Sequence, residues 1–354
     1  MITIVLATYN RPQSLRVAIR SVLLQTVPDW RLLVIGDACD ERTAAVVGAF
    51  ADKRISYVNL PSRCGEQAIP NSIGMALAES EYVALLNHDD VLLADHLAQA
   101  LAHLKETAGD LFVGKAAFAR FSVLMADGRR NPVFSEITPA DRRLADVFSV
   151  GSEIFEPCSA WVFRRQLVET VGPWHAAATL YRTPMDDWLL RVWRAGANLV
   201  QSQDITVLRM LTHYQQASSG ASAYAWGHGE HEILDRLLVE MSPGGLRRAI
   251  HDRLESDAVA RIPKAGFSRV FLKILGQLNP EQEWLAEQFL TPAMAEVYLR
   301  TGWDAFEQLC LLSGFDRGHA MRLALRVRTG EELPPVPDFQ AMLAYARQRL
   351  VTGS

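Results

Sequence analysis

The first hundred residues alternate between short apolar runs and stretches with helical periodicity, and this alternation constrains the fold more than any other feature. Short apolar runs are typical of strands buried on both faces, and helical spacing between them indicates crossover helices. The strand-like runs are 2–7, 31–36, 55–59 and 81–86, and the helix-like stretches are 15–23, 41–51 and 67–78. This β-α-β-α-β-α-β order predicts a Rossmann-like α/β fold with a mostly parallel sheet.

The chain of 354 residues is longer than one compact core usually holds, so two domains are expected. The pattern becomes nearly all helical from about Ser222, which predicts an α/β domain over 1–217 and a smaller all-α domain over 218–354. The irregular stretch 122–157, with a helix only at 139–148, is predicted to be a lid or binding loop. The run 205–211 is predicted to be an edge strand.

Charge and cysteine usage narrow the class of protein. The formal net charge of -4 gives no basic field, so nucleic acid is not expected as the main partner. No uncharged apolar run reaches the roughly 18 residues that cross a bilayer, and the N-terminus is typical of a first strand, not of an export signal. The four cysteines form no CxxC pair, which favours free thiols in a reducing compartment. We therefore expect a cytoplasmic protein.

Polar side chains follow three of the predicted strands. Thr8 and Asn10 follow the first, Asp37 the second, and the segment Asn87-His88-Asp89-Asp90 the fourth. Ligands of such sheets collect beyond the carboxyl ends of the strands. Two adjacent carboxylates repel each other, and a divalent cation relieves that repulsion. The alternative is that one of them caps a helix beginning near Leu92.

Five motifs occur in a fixed order along the chain. The first strand ends in Thr8-Tyr9-Asn10, the next helix ends in SVLLQTVPDW (21–30), and the second strand ends in Gly36-Asp37. GEQAIPNSIG (65–74) and NHDD (87–90) follow. Together they resemble the GT-A glycosyltransferases of family 2 over roughly residues 1–215. The resemblance implies a GT-A fold and inverting transfer of a sugar from a nucleotide sugar, most simply a UDP-sugar.

The resemblance also implies a role for each matching residue. Asp37 would hydrogen-bond the nucleotide base, and Asp89 would hold the Mn2+ or Mg2+ that bridges to the diphosphate. Asp187, in the stretch YRTPMDDWLLRV (181–192), matches the family's general base, and His213 is the second residue expected near the metal. The expected donor contacts are Thr8, Tyr9, Asn10, Arg11, Asp37, Asn71, Asn87, His88 and Asp90.

Structural alternatives stay open for these residues. Asp37 is also typical of a strand-end turn, Asp187 of a helix N-terminus, and His213 of a packing or surface histidine. The chain departs from the family pattern at three positions. Gly36 and Asn87 stand where the family has acids, and Pro70 stands where an arginine is common. A phosphate contact is therefore expected either to be missing or to be supplied by Arg11 or Arg63.

Other features allow two interpretations each. Trp161 stacks on an acceptor sugar or packs in the core. His228 and His231 have a spacing that permits metal binding, but no third ligand is evident. The basic amphipathic stretch 264–275 either contacts a membrane surface, which would bring the protein to the inner face of a membrane, or packs as an ordinary helix.

The sequence thus predicts a glycosyltransferase acting on a glycan, lipid-linked or protein acceptor, with a homodimer as one use of the helical domain. A nucleotidyltransferase is the first alternative, but residues 8–13 contain neither the glycine nor the lysine expected of its triphosphate loop. A non-catalytic nucleotide- or carbohydrate-binding relative is the second. Gly36 and Asn87 favour that alternative, whereas an intact Asp187 argues against it.

Overall fold

The computed structural model describes residues 1–124, 130–136, 157–210, 230–256 and 332–352, with 302, 305–312, 314–318 and 322. Over these residues the predicted alternation is confirmed. The strands are β1 Ile2–Thr8, β2 Trp30–Gly36, β3 Ile55–Asn59, β4 Tyr82–Asn87, β5 Asp90–Leu92, β6 Leu111–Leu124, β7 Arg130–Glu136, β8 Trp161–Arg164 and β9 Leu199–Met210. The helices are α1 Pro12–Leu23, α2 Glu41–Gly48, α3 Ala68–Leu77, α4 His96–Glu106, α5 Gln166–Val171, α6 Pro184–Arg194, α7 Glu230–Glu240, α8 Pro243–Ser256, α9 Ala305–Leu312 and α10 Phe339–Thr352.

The described strands form one sheet in the order β3-β2-β1-β4-β8-β6-β9-β5, with β7 paired to β6. The first four strands are parallel to one another. From β8 onward the pairs are antiparallel, except for β6 with β9. The fold is therefore α/β and GT-A-like, but the sheet is mixed. The expectation of a mostly parallel sheet was wrong because periodicity identifies a strand without giving its direction.

The helix expected near Leu92 is not present, since residues 90–92 form β5. Val91 and Leu92 pair with Leu208 and Val207 of β9 and are buried on the sheet. The following helix, α4, begins only at His96. Neither carboxylate of the acidic pair therefore caps that helix, which removes the structural alternative for Asp89 and Asp90.

The structure corrects two further expectations, which concern β6 and β9. The stretch from Ser122 is not irregular at its start, because β6 continues to Leu124 and pairs with β7. The Asp127-Gly128 pair in the intervening sequence is typical of a hairpin turn. The predicted edge strand β9 lies between β6 and β5, and β5 is the edge. The helix expected at 139–148 lies outside the described residues.

The described C-terminal helices pack against the α/β layers. Arg20 of α1 forms an ion pair with Asp235 of α7 at 2.6 Å, and Arg247 of α8 contacts Asp95 at 2.6 and 2.8 Å. α10 lies on α3 and β3. A separate all-α domain over 218–354 stays a prediction. In the part of the chain that the structure describes, no helix is long and apolar enough to cross a membrane.

Candidate functional site

The carboxyl ends of β2, β1 and β4 meet at one edge of the sheet. Thr8 lies opposite Gly36, and Ala7 lies opposite Asn87, so the three strands end at nearly the same level. The backbone N–H of Asp37 donates to the carbonyl of Thr8 at 2.9 Å. The register therefore brings Thr8, Asp37 and the 87–90 segment together.

Asp37 is almost fully buried and holds a turn of the chain. One carboxylate oxygen accepts the N–H of Cys64 at 2.5 Å, and the other accepts the N–H of Gly65 at 2.9 Å. Burial raises the pKa of Asp37, although these hydrogen bonds and the charge of Arg63 oppose the rise. Each carboxylate oxygen has a second lone pair, so a nucleobase N–H remains a possible donor to Asp37.

The packing around Gly36 explains why this position lacks the acid of the family pattern. A Cβ at this position would lie 2.6 Å from Oδ1 of Asn59 and 2.7 Å from the hydroxyl of Tyr57. Asn59 in turn exchanges two hydrogen bonds with the backbone of Cys39, at 2.7 and 2.8 Å. The space that an acidic side chain would need is thus filled by β3, and this wall of the site is uncharged.

Two arginines flank the strand ends. The guanidinium of Arg63 lies 4.1 Å from the centroid of the Tyr9 ring. Burial lowers the pKa of His88, with the charge of Arg11 acting in the same direction and that of Asp89 opposing it. Arg11 and Arg63 therefore lie beside residues of the predicted donor site, as a compensating phosphate contact requires.

Asn10 has a structural task. Its φ of 46° lies in the left-handed region, which asparagine tolerates better than most residues. Its Oδ1 accepts the N–H of Asp40 at 2.8 Å, which ties the end of β1 to the loop after β2. Asn10 thus shapes this edge of the sheet by holding the backbone of the loop after β2.

Asp90 is anchored from two sides. Its Oδ2 accepts from Ser159 Oγ at 2.5 Å and from Asn87 Nδ2 at 2.9 Å. Ser159 Oγ also accepts the N–H of Asn87 at 3.0 Å. Burial and the charge of Asp89 raise the pKa of Asp90 to about 7. The side chain of Asn87, expected to face the donor, is engaged with Asp90, and its contact with a donor stays a prediction.

Several buried polar atoms of predicted site residues have no hydrogen-bond partner among the described residues. They include Oγ1 of Thr8, Nδ2 of Asn71 and Oδ1 of Asp90. Buried polar groups in folded proteins are nearly always satisfied, so an unsatisfied group calls for an explanation. A bound polar ligand is one such explanation. Thr8 ends β1, which pairs with β4, and Asp90 accepts a hydrogen bond from Asn87 at the end of β4.

The donor set fits a magnesium or manganese ion. Asp89 is half-buried, and its charge acts on Asp90, whose Oδ1 has no described partner. A divalent cation would relieve both the repulsion and the unsatisfied oxygen. Within the described ranges no group of three or more His, Cys, Asp or Glu side chains is arranged to hold a metal. A site of one or two carboxylates completed by phosphate oxygens suits Mg2+ or Mn2+. His213 lies outside the described residues.

The two acids of the 186–187 pair have different surroundings. Thr183, the N-cap of α6, accepts the N–H of Asp186 at 3.3 Å and donates to its Oδ2 at 2.7 Å. Thr183 therefore caps α6, and Asp186 supports this cap from the first turn of the helix. Oδ2 of Asp187 lies 3.1 Å from Nδ1 of His175 and 2.9 Å from Nε of Arg191. Burial favours a higher pKa for Asp187, but the His175 hydrogen bond and the Arg191 charge prevail and lower it.

Trp161 belongs to the core, so stacking on an acceptor sugar is the wrong interpretation. Its side chain is fully buried and stacks on Trp188, with ring centroids 6.0 Å apart. Trp174 packs against both rings. This aromatic cluster fixes α6, and with it Asp187, against the sheet.

Sequence reasoning missed three residues. Ser159 anchors Asp90, Glu66 accepts from the N–H groups of Ala68 and Ala177, and His175 contacts Asp187. The contacts of Ser159 with Asp90 and of Glu66 with Ala177 join residues distant in sequence, so no local pattern identifies them. The position of Ser159 beside a strand at 161–164 was the one available signal. His228 and the side chain of His231 lie outside the described part.

Residues 3–172 match the family model described as Glycosyl transferase family 2. WcaA of Escherichia coli (strain K12), a glycosyl transferase named for colanic acid biosynthesis, is 28% identical over 173 residues, which cover 48% of this chain and 61% of that protein. The poly(ribitol-phosphate) beta-N-acetylglucosaminyltransferase TarP of Staphylococcus aureus (strain N315) is 27% identical over 149 residues, which cover 38% of this chain and 45% of that protein. The matched region thus spans less than two thirds of either relative.

A solved structure shows a likeness of fold. The crystal structure of S. aureus TarS 1-349 in complex with UDP superposes with a TM-score of 0.51 at 13% identity. The alignment covers 93% of this chain and 92% of that one. At this identity the likeness concerns the architecture alone.

Proposed function

Since residues 3–172 match the model of glycosyl transferase family 2, we propose that the chain transfers a sugar from a UDP-sugar to a hydroxyl of a bacterial glycan or polymer. The observation that carries the proposal is the edge formed by β2, β1 and β4. There Asp37, Asp89 and the unsatisfied atoms of Thr8 and Asp90 meet beside two arginines. The names of the relatives, and the UDP in the TarS complex, agree with this substrate class.

Donor binding is assigned to the nucleotide side of this edge. Asp37 accepts a base N–H, while Thr8, Asn10 and Asn71 shape the pocket. Tyr9 and His88 line it, and Arg11 supplies positive charge for the diphosphate. The uncharged wall left by Gly36 means that Asp37 is the only acid of the pair available for base recognition.

Asp89 would hold Mn2+ or Mg2+, with Asp90 kept in place by Ser159 and Asn87. When bound, such an ion stabilises negative charge on the departing diphosphate. The protein's own contribution is to fix the two carboxylates at the turn between β4 and β5. His213 remains a predicted neighbour of the ion.

Asp187 is proposed as the general base of an inverting reaction. The base removes the proton of the acceptor hydroxyl as its oxygen attacks the anomeric carbon. The lowered pKa of Asp187 keeps it ionised at neutral pH, which is the state that accepts a proton. The aromatic cluster of Trp161, Trp174 and Trp188 holds α6 rigidly behind it.

Calorimetry with UDP in the presence and absence of Mn2+ tests the donor site. We expect metal-dependent binding that weakens by at least roughly 10-fold in Asp89→Ala. Glu81→Ala is the matched control, because Glu81 is an exposed carboxylate at the opposite end of β4. Equal UDP affinity in wild type and Asp89→Ala would refute the metal assignment.

The base is tested separately by release of UDP from UDP-N-acetylglucosamine and UDP-glucose. Asp187→Asn should reduce turnover by roughly 10²- to 10⁴-fold and leave UDP binding intact. Normal turnover in this variant would show that the base has been misassigned.

The remaining predictions concern parts of the chain outside the described residues. A lipid-linked or protein acceptor, contact of 264–275 with a membrane surface and a homodimer rest on the sequence alone. A panel of nucleotide sugars, read by thermal shift with Mn2+, would identify the donor because a bound ligand raises stability by mass action.

A further inference from the structure

The segment that precedes His175 is fixed on α6. The carbonyl of Val171 accepts from Arg191, as does that of Pro173 at 2.8 Å. Between them, the carbonyl of Gly172 accepts from the indole of Trp188 at 3.0 Å. Three successive carbonyls are thus held by side chains of the helix that carries Asp187.

The backbone next to His175 is fixed on the other side as well. The N–H of Trp174 donates to Ser72 Oγ at 2.9 Å, and its carbonyl accepts from the same hydroxyl at 3.2 Å. Ser72 is buried in α3. His175 therefore starts from a backbone held by both α3 and α6, and its imidazole reaches Asp187 from a defined direction.

His175 and Arg191 contact the same carboxylate oxygen of Asp187. Nδ1 of His175 and Nε of Arg191 lie 3.1 and 2.9 Å from Oδ2. Oδ1 accepts no hydrogen bond from the described residues. Arg191 holds the carboxylate from within α6, and His175 holds it from the facing segment. Two donors from different elements fix the plane of the carboxylate and leave Oδ1 for another partner.

We propose that His175 is a positioning residue of the transfer reaction, which holds Oδ2 of Asp187 so that Oδ1 receives the acceptor proton. The inference rests on the proposed role of Asp187 as the base. In the step, the acceptor oxygen bonds to the anomeric carbon, and its proton passes to Oδ1. The bond from that carbon to the diphosphate oxygen breaks, and its electron pair leaves with the diphosphate.

The position of His175 suits this task. Its side chain is 52% exposed, whereas that of Asp187 is 17% exposed. The imidazole is thus far more exposed to solvent than the carboxylate that it contacts. Misplacement of a reacting group by about 1 Å costs on the order of 10²-fold in rate, so a lost anchor is measurable.

The test compares His175→Ala with His175→Asn by release of UDP from UDP-N-acetylglucosamine and UDP-glucose, with water as acceptor. Asparagine keeps a donor close to the position of Nδ1, and alanine keeps none. We expect kcat to fall roughly 10- to 100-fold in His175→Ala, with KM for the donor unchanged, and to recover largely in His175→Asn. His103→Ala is the control, since His103 contacts the backbone of its own helix α4.

A second arm adds His175→Ala to the Asp187→Asn variant. A residue that acts through Asp187 should cause no further loss there, whereas a further loss would overturn the proposal. So would unchanged kcat in His175→Ala, or a rise in KM alone. Normal turnover in Asp187→Asn would instead refute the proposed base. If His175→Ala lowers the melting temperature, His175→Asn decides, because a folded but slow asparagine variant also contradicts the proposal.

Discussion

Glu66 shows at the scale of one residue how the site's surroundings depend on pH. Its Oε1 accepts the N–H of Ala177 at 3.0 Å, and its Oε2 accepts that of Ala68 at 3.2 Å. Burial raises the pKa of Glu66 to about 7 in spite of these bonds. The carboxyl thus joins the turn that Asp37 holds to the segment after His175, and burial, not these hydrogen bonds, disfavours its ionisation.

The raised pKa of Glu66 determines whether the fold gains or loses stability as the pH rises. A glutamate in an unfolded chain titrates near about 4.3, so the stability contributed by protonated Glu66 is complete below that pH. It is lost as pH rises through about 7, and the loss is on the order of 3 kcal/mol. Glu66→Gln cannot ionise, so it should gain relative to wild type between pH 4 and pH 8.

Urea unfolding of wild type and Glu66→Gln at several pH values measures this gain. Other titrating groups, including Asp90, are common to both proteins and cancel in the difference. Glutamine offers one acceptor oxygen where glutamate offers two, so Glu66→Gln also loses some stability by an amount that does not depend on pH. A difference in the free energy of unfolding that does not vary with pH would contradict the assignment.

At the scale of elements, the turn between β4 and β5 depends on a neighbouring strand for its shape. Asn87 ends β4, Asp90 begins β5, and Ser159 just before β8 bonds to both. The sheet order places β8 beside β4, which brings Ser159 to the turn. The placement of Asp89 therefore depends on β4, on β5 and on the 3-10 turn Cys158–Ala160 that precedes β8.

Ser159→Ala should weaken this turn specifically. Loss of the hydroxyl leaves a buried carboxylate and a backbone N–H each short of a partner, which costs roughly 1–3 kcal/mol. We also expect the Mn2+-dependent part of UDP binding to weaken by more than the metal-independent part. Both effects are read from chemical unfolding and calorimetry on the same variant.

Ser80→Ala is the matched control for that comparison. Ser80 is also buried and accepts from Thr3 at 2.8 Å, but it lies at the opposite end of the strands. It should lose stability while keeping the metal dependence of UDP binding. Equal effects of the two variants on binding would argue against a specific role for Ser159.

At the scale of the whole molecule, the last described helix packs on the β3 side of the sheet. Met342, Leu343 and Ala346 of α10 are buried in a cluster with residues of β2, β3 and α3. Before α10, Pro334 packs on the turn that Asp37 holds, where a Cβ on Gly65 would lie 2.3 Å from its Cδ. The last helix therefore belongs to the packing of the α/β layers.

Leu343→Ala should consequently destabilise the entire fold by roughly 2–5 kcal/mol, the range of large-to-small changes in a core. Val351, on the same helix, is 87% exposed, and Val351→Ala should change stability by less than about 0.5 kcal/mol. Urea unfolding followed by circular dichroism gives both values. Similar small values for the two variants would mean that α10 is not part of the cooperative core.

The sequence predicted much of the first half of the fold because local physics decides it there. β1, β2, β3 and β4 are apolar runs that need burial on both faces, and Pro12 and Pro184 stand at helix starts where their missing N–H costs nothing. The donor-side residues Thr8, Asp37 and Asp89 were predicted because strand ends in such a sheet meet at one edge. Their roles in binding remain proposals.

Only the tertiary structure decided three features of the sheet, which are the direction of β8, the position of β9 inside the sheet and the identity of β5 as its edge. It also decided the contacts of Ser159 with Asp90, Glu66 with Ala177 and His175 with Asp187. Each joins residues whose separation in sequence carries no periodic signal. Hydrophobic period and turn chemistry act over a few residues and can be read along the chain. Strand order and carboxylate partners depend on which buried surfaces pack together, and only the folded chain determines that.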